Sequence, residues 1–152
     1  MPDTLEAPYR LSDQVCFAVY STAHAFNRVY KPLLDRIGLT YPQYLAMLVL
    51  WERDGLAVKA IGDRLFLDSG TLTPLLKRLE SAGLVERRRS RDDERVVHIH
   101  LTPAGRAMRV EVATVSEGIG CASGLTAETA GKLKEALRAV RDQLQASAAA
   151  AA

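Results

Sequence analysis

Apolar residues return with helical spacing between Ser12 and Ile37, where Val15, Cys16, Val19, Tyr20, Ala23, Phe26, Tyr30, Leu33, Leu34 and Ile37 share one face. Ser12 is the expected N-cap, with Asp13 adding a favourable charge in the first turn. Pro32 is expected to bend the helix and Gly38 to end it. Such a helix is about 35 Å long, and its apolar stripe calls for a partner. A second helix starts near Thr40, where "LTYPQYLAMLVLWERDG" offers a cap, a first-turn proline and a terminal glycine. A short third helix is expected over Val58–Leu67. A fourth follows, capped by Asp68 or Ser69, burying Leu72, Leu75, Leu76 and Leu79 and stopped by Gly83. Pro74 lies well inside it, so an irregular first turn is expected.

The period then changes. Residues 84–89 and 95–101 are extended runs around the polar loop "SRDDE", and in the second Val97, Ile99 and Leu101 alternate with Val96, His98 and His100. Thr102 and Pro103 start another helix, running to about Glu117. The glycines of "GIGCASG" predict a loose connection containing Cys121. Thr126 caps a last helix with Leu133, Leu137, Val140 and Leu144 on a narrow seam of coiled-coil width.

Helix, short helix, helix and hairpin in this order form a winged helix-turn-helix. The fold class expected is mainly α with a two-stranded β-hairpin and flanking helices at both ends. The expected division is an N-terminal dimerisation helix at 1–38, a DNA-binding domain at 39–101 and C-terminal dimerisation helices at 102–152. Within the central part, the recognition helix is 69–82 and the wing 84–101. The recognition helix can enter the ~12 Å major groove of DNA. Ser69, Thr71 and Thr73 at its start then face bases or phosphates, and Lys77 and Arg78 hold phosphates.

Net charge is only +2, too small to identify a nucleic-acid partner, but its distribution says more. Arg87, Arg88, Arg89, Arg91 and Arg95 lie within "ERRRSRDDER". This cluster fits a focused phosphate contact, and equally a solvated turn partly neutralised by Asp92, Asp93 and Glu94. Arg95 is the candidate for insertion into a narrow A·T-rich minor groove, with Asp93 placed to orient it.

Hydrophobic residues make up 48% of the chain and charged ones 25%, which suits a folded protein over a disordered one. The longest unbroken apolar run, Leu45–Trp51, is far short of the ~20 residues of a membrane span, and "MPDTLEAPYR" has no secretory pattern. A cytoplasmic location is expected. Cys16 and Cys121 form no CxxC or zinc pattern. His98 and His100 share a strand face but lack a third ligand nearby, so no metal and no cofactor are expected. Cys16 reads two ways from the residues alone, as apolar core filling or as a thiolate stabilised at a helix start.

"LKRLESAGLVERRRSRDDERVVHIHLTPAG" resembles the recognition-helix end, wing and return strand of the MarR family of bacterial transcriptional repressors, with Asp93–Arg95 as its D-x-R element. The likeness extends over residues ~10–146. Cys16, "FNRVYKPLL", "LTYPQYLAMLVLWE" and "LDSGTLTPLLKRLE" are similar to the organic hydroperoxide resistance branch, and Cys121 to its two-cysteine type. The resemblance implies a homodimeric repressor on pseudo-palindromic, A·T-rich operator DNA. It implies that Cys16 senses organic hydroperoxides, that Tyr30 and Tyr41 of the partner subunit contact its thiolate, and that Cys121 resolves it as an intersubunit disulfide.

The chemistry is consistent with that expectation. Tyr30 lies fourteen residues beyond Cys16, ~21 Å along a straight helix, so only a partner chain brings such a phenol to the thiol. Phe17, Tyr20, Phe26 and Leu45 are expected as apolar pocket walls favouring bulky peroxides. Tyr20 and Tyr44 also read as interface aromatics, and His24 as an ordinary polar position. Other function classes stay open: a repressor released by a small aromatic ligand, a winged helix used for protein contacts, and a thiol peroxidase. The last lacks any thioredoxin-like βαβ pattern, and the expectation is that the chain is not an enzyme.

Overall fold

In a computed structural model, which describes residues 10–151, a 3-10 turn at Leu11–Asp13 leads into helix α1, Val15–Asp35. Ser12 is not the cap: it lies in that turn and donates to Asp13 Oδ1 at 3.1 Å, while extended Gln14 holds the cap position without a side-chain cap bond. Pro32 is accommodated within the continuous helix. Helix α2, Tyr41–Glu52, starts as expected. Thr40 Oγ1 accepts from the Gln43 N–H, and the Gln43 side chain accepts from the Thr40 N–H.

A strand absent from the sequence reading comes next. β1, Leu56–Ala57, pairs antiparallel with β3, Val97–Leu101, which also pairs with β2, Val85–Arg89. The sheet therefore has three strands in the order β1-β3-β2, a correction to the two-stranded hairpin. Two residues are too few to show a period. Between β1 and β2 lie α3, Val58–Leu65, and α4, Ser69–Ser81. α3 ends two residues before the expected boundary because Phe66 takes the left-handed conformation, φ 56° and ψ 38°. Asp68 caps α4, accepting from the Thr71 N–H at 2.8 Å, and this bond holds its carboxyl below the ordinary carboxylate range. The helix runs unbroken past Pro74, so the expected irregular turn is absent.

Leu34, Met47, Leu50, Ile61, Leu72, Leu76, Leu79, Val85, Ile99 and Val115 are fully buried and join the helix pair, the sheet and the base of α1 in one core. Burying each such side chain contributes about 1.5–3 kcal/mol, so the wing is a packed extension of the helix-turn-helix.

The expected helix from Pro103 is three pieces: α5, Pro103–Ala107, a 3-10 turn at Met108–Glu111, and α6, Val112–Ser123. Gly118 and Gly120 lie within α6, and Cys121 is therefore helical, not in a loop. Helical hydrogen bonds carry those glycines, and Gly124 (φ +64°) is the one that leaves the helix. Thr126 then caps α7, Ala127–Ala150. The chain divides into two compact units, one ending at Ser116 and one beginning at Glu117. In the first, α1 leaves Val15, Val19 and Tyr20 exposed, and in the second α7 buries no residue and exposes its whole Leu133–Leu137–Val140–Leu144 seam. Among the described residues, no helix is long and apolar enough to cross a membrane.

Candidate functional site

Capping by Asp68 fixes the first turn of α4, where Ser69 and Thr71 are exposed and Thr73 is half-buried. Lys77 and Arg78 follow on its exposed face, opposite the buried leucines. One helix thus presents hydroxyls at its start and cations along its length. The wing adds arginines. Its tip is closed by Ser90 N–H to Val96 O at 2.8 Å and Val96 N–H to Asp93 O at 2.9 Å. Asp93 Oδ1 accepts from both the Arg95 N–H at 3.0 Å and Arg95 Nε at 3.2 Å. The guanidinium is held from behind by that carboxylate while its side chain stays 92% exposed. Arg88 is exposed but ion-paired with Glu86, so its charge is partly spent on its own strand.

Three positioning contacts carried no sequence signal, because each joins residues far apart in the chain. Glu80, on the last turn of α4, accepts from the Arg87 N–H at 3.2 Å and pairs with Arg87 Nε at 3.2 Å, fastening the recognition helix to the wing. Asp54 accepts from the Leu101 N–H at 2.8 Å, from the Gly55 N–H at 2.8 Å and from Arg106 at 2.6 Å. Trp51 Nε1 donates to Gly105 O at 2.8 Å. The last two clamp the end of α2 and the sheet to α5.

Cys16 is the second residue of α1, exposed and unbridged. With no side-chain cap at this helix start, the first-turn N–H groups remain open to an anion such as a thiolate. Cys121 is also exposed and free, on α6. Tyr30 and Tyr41 do come together, with ring centroids 4.6 Å apart. Tyr44 completes the cluster at 5.8 Å and 6.3 Å. It is buried in the core of its own chain, which corrects its reading as an interface aromatic.

Burial, with Tyr41 and Tyr44 adding, pushes the Tyr30 phenol up to about 12, and burial with Tyr44 raises Tyr41. Both stay protonated donors at neutral pH. A raised folded value means that the stabilisation is fully present below the ordinary 10.0 and is lost as pH rises through about 12. In an alkaline titration followed by phenolate absorbance, Tyr30 is expected to ionise last, and Tyr30→Phe to remove that final step. Joint ionisation of all the tyrosines near their ordinary value would contradict the cluster's burial.

The expected pocket walls are not brought together in this way. Phe17 and Phe26 are half-buried on α1, Tyr20 is exposed with its ring 4.3 Å from His24, and Leu45 packs on the core. The cleft that does form, about 400 Å³, is lined by Asn27, Lys31, Leu34, Asp35, Leu39, Thr40, Tyr41 and Pro42. Only Tyr41 belongs to both sets. The four residues of the expected pocket lie on different turns of α1 and on α2, so one chain cannot close them around a common space.

A helix-turn-helix with an arginine-tipped wing, carried between long helices with exposed seams, defines a MarR-like winged-helix regulator. The sequence profile described as "Transcriptional regulator SarA/Rot" matches residues 28–111. The chain belongs to this MarR-like family of transcriptional regulators. It is 53% identical to the HTH-type transcriptional regulator TtmR of Methylorubrum extorquens, over 93% of this chain and 72% of that one. It is 44% identical to the organic hydroperoxide resistance transcriptional regulator of Bacillus subtilis, over 89% and 92%. Among solved structures it resembles AbfR of Staphylococcus epidermidis. Reduced AbfR bound to DNA is 37% identical with a TM-score of 0.75, covering 90% of this chain and 93% of that one. AbfR has also been solved overoxidised and bound to DNA (38%, TM-score 0.73, 89% and 95%) and in a disulfide form (37%, TM-score 0.63, 86% and 92%).

Proposed function

We propose that the chain is a repressor that binds operator DNA as a homodimer in the cytoplasm and releases it when an organic hydroperoxide oxidises Cys16. The observation that carries this reading is an exposed cysteine at an uncapped helix start, in a chain whose recognition helix and wing are otherwise complete. Ser69, Thr71 and Thr73 face base edges, Lys77, Arg78 and Arg88 hold phosphates, and Arg95 enters the minor groove. The exposed faces of α1 and α7 are the surfaces a second copy covers.

In the first step the Cys16 thiolate attacks the outer peroxide oxygen. The O–O bond breaks, the alcohol leaves with a proton, and sulfur is oxidised to a sulfenic acid. Cys121 of the partner subunit then attacks that sulfur, forming the S–S bond and releasing water. The link draws the dimerisation helices to a new spacing, and the two recognition helices no longer fit half-sites one helical turn apart. Tyr30 and Tyr41 donate to the thiolate from the partner subunit. The reported AbfR states support the disulfide as the releasing form, since both the reduced and the overoxidised protein were captured on DNA.

The test is a non-reducing gel after cumene hydroperoxide without added thiol. Wild type is expected to form a linked dimer and Cys121→Ser none, with the variant keeping its operator. A wild type that never links would overturn the two-cysteine route. The cleft of about 400 Å³ beside Tyr41 favours a second reading, release by a small aromatic ligand, since its volume suits such a molecule.

A further inference from the structure

Phe66 is the one non-glycine residue among those described with a positive φ. For a bulky side chain that conformation is a true outlier. The turn demands it. The Phe66 N–H and the Leu67 N–H both reach back to Gly62 O, the latter at 3.0 Å, and the chain passes so close that a Cβ on Gly62 would lie 2.8 Å from Leu67 O. What the turn demands is a left-handed residue, and glycine or asparagine supplies that without strain. The core does not demand the ring either, because Phe66 is 53% exposed. Neither local geometry nor packing therefore accounts for an aromatic side chain here.

Its position does. Phe66 is followed by Leu67, the Asp68 cap and Ser69, so its Cα lies within roughly 10 Å of the first residue of the recognition helix. We infer that Phe66 is an apolar DNA contact at the mouth of the major groove, its ring resting on the hydrocarbon edge of a nucleotide, the deoxyribose or a thymine methyl. This rests on the DNA-binding reading above and adds to it. The hydroxyls and cations of α4 and the wing supply polar and ionic contacts, and Phe66 supplies an uncharged one. Strain in the turn is retained because the ring binds DNA.

The experiment compares wild type, Phe66→Asn and Arg95→Ala, all reduced, on a duplex enriched from a random-sequence pool by the reduced wild type. Asparagine keeps the left-handed turn and removes the ring. Phe66→Asn is expected to be at least as stable as wild type to heat, to bind about tenfold more weakly, and to keep the wild-type slope of log K against log salt. Arg95→Ala is expected to lower that slope by about one, the signature of a lost phosphate contact. Wild-type affinity in Phe66→Asn would overturn the inference while leaving DNA binding intact. A loss of stability would make the ring a packing residue, and a changed salt slope would make its effect ionic; either overturns it too. Failure of the wild type to enrich any duplex would sink the DNA-binding reading itself.

Discussion

Cys16→Ser protein is expected to hold its operator at every concentration of organic hydroperoxide, whereas wild type lets go. The side chain is exposed and makes no packing contribution that serine lacks, so the fold should be unaffected. Reduced affinity should stay within about twofold of wild type, the range of ordinary surface substitutions. What disappears is the nucleophile. A serine hydroxyl at a helix start does not ionise near neutrality, so it cannot attack the peroxide oxygen. The effect is all-or-none: Cys121 has no oxidised partner sulfur to meet. Cumene hydroperoxide is expected to act at lower concentration than hydrogen peroxide on wild type, as apolar surroundings favour the bulkier reagent. Release of Cys16→Ser by peroxide would move the sensor elsewhere. Release of the same variant by a phenolic acid would favour the ligand reading and the cleft beside Tyr41.

Gly105→Ala carries the second large effect, on folding. Gly105 sits where α5 crosses the start of the wing, and a Cβ there would overlap the Leu84 carbonyl oxygen. That oxygen already accepts from the Thr102 N–H at 3.1 Å, and Thr102 Oγ1 donates to Gly83 O at 2.6 Å, so the backbone cannot retreat. The Gly105 carbonyl in turn holds Trp51. Overpacking against fixed backbone costs about 3 kcal/mol or more, against a typical domain stability of about 5–15 kcal/mol. The melting temperature should fall by roughly 10 °C, or the protein should fail to accumulate. Gly131→Ala on α7 is the control. Nothing lies within 4 Å of its Cβ position, and alanine should there add about 0.5–1 kcal/mol of helix stability. Equal melting temperatures for the two variants would refute the close crossing.

These expectations show which parts of the molecule were written locally. Thr40 with Gln43, Asp68 with Thr71, and Thr126 with Thr129 are contacts between residues three apart, and each helix start they define was legible. Ser12 misled because a serine before an apolar stripe is a cap only if the chain is extended there, and a 3-10 turn occupies it. The glycines around Cys121 misled in the opposite direction, since a helix carries glycine when its neighbours sustain it. On the candidate site, composition and order exposed Ser69, Thr71, Lys77, Arg78 and the Asp93–Arg95 pair. They did not expose Glu80–Arg87, Asp54–Arg106 or Trp51–Gly105, which depend on how the sheet lies against the helices. β1 escaped for the same reason: it is a strand only because β3 is beside it. Sequence spacing placed Tyr30 out of reach of its own Cys16, and the continuous α1 between them agrees.

The central claim is that Cys16 governs DNA binding by entering a disulfide. It is tested most directly by following both quantities in one sample, with operator binding read by anisotropy and the Cys16–Cys121 bond by mass spectrometry as cumene hydroperoxide is added. The bound fraction should fall in step with the linked fraction, and recover with it when dithiothreitol is added. DNA released while Cys16 remains a thiol, or DNA retained when Cys16 and Cys121 are fully joined, would contradict the account.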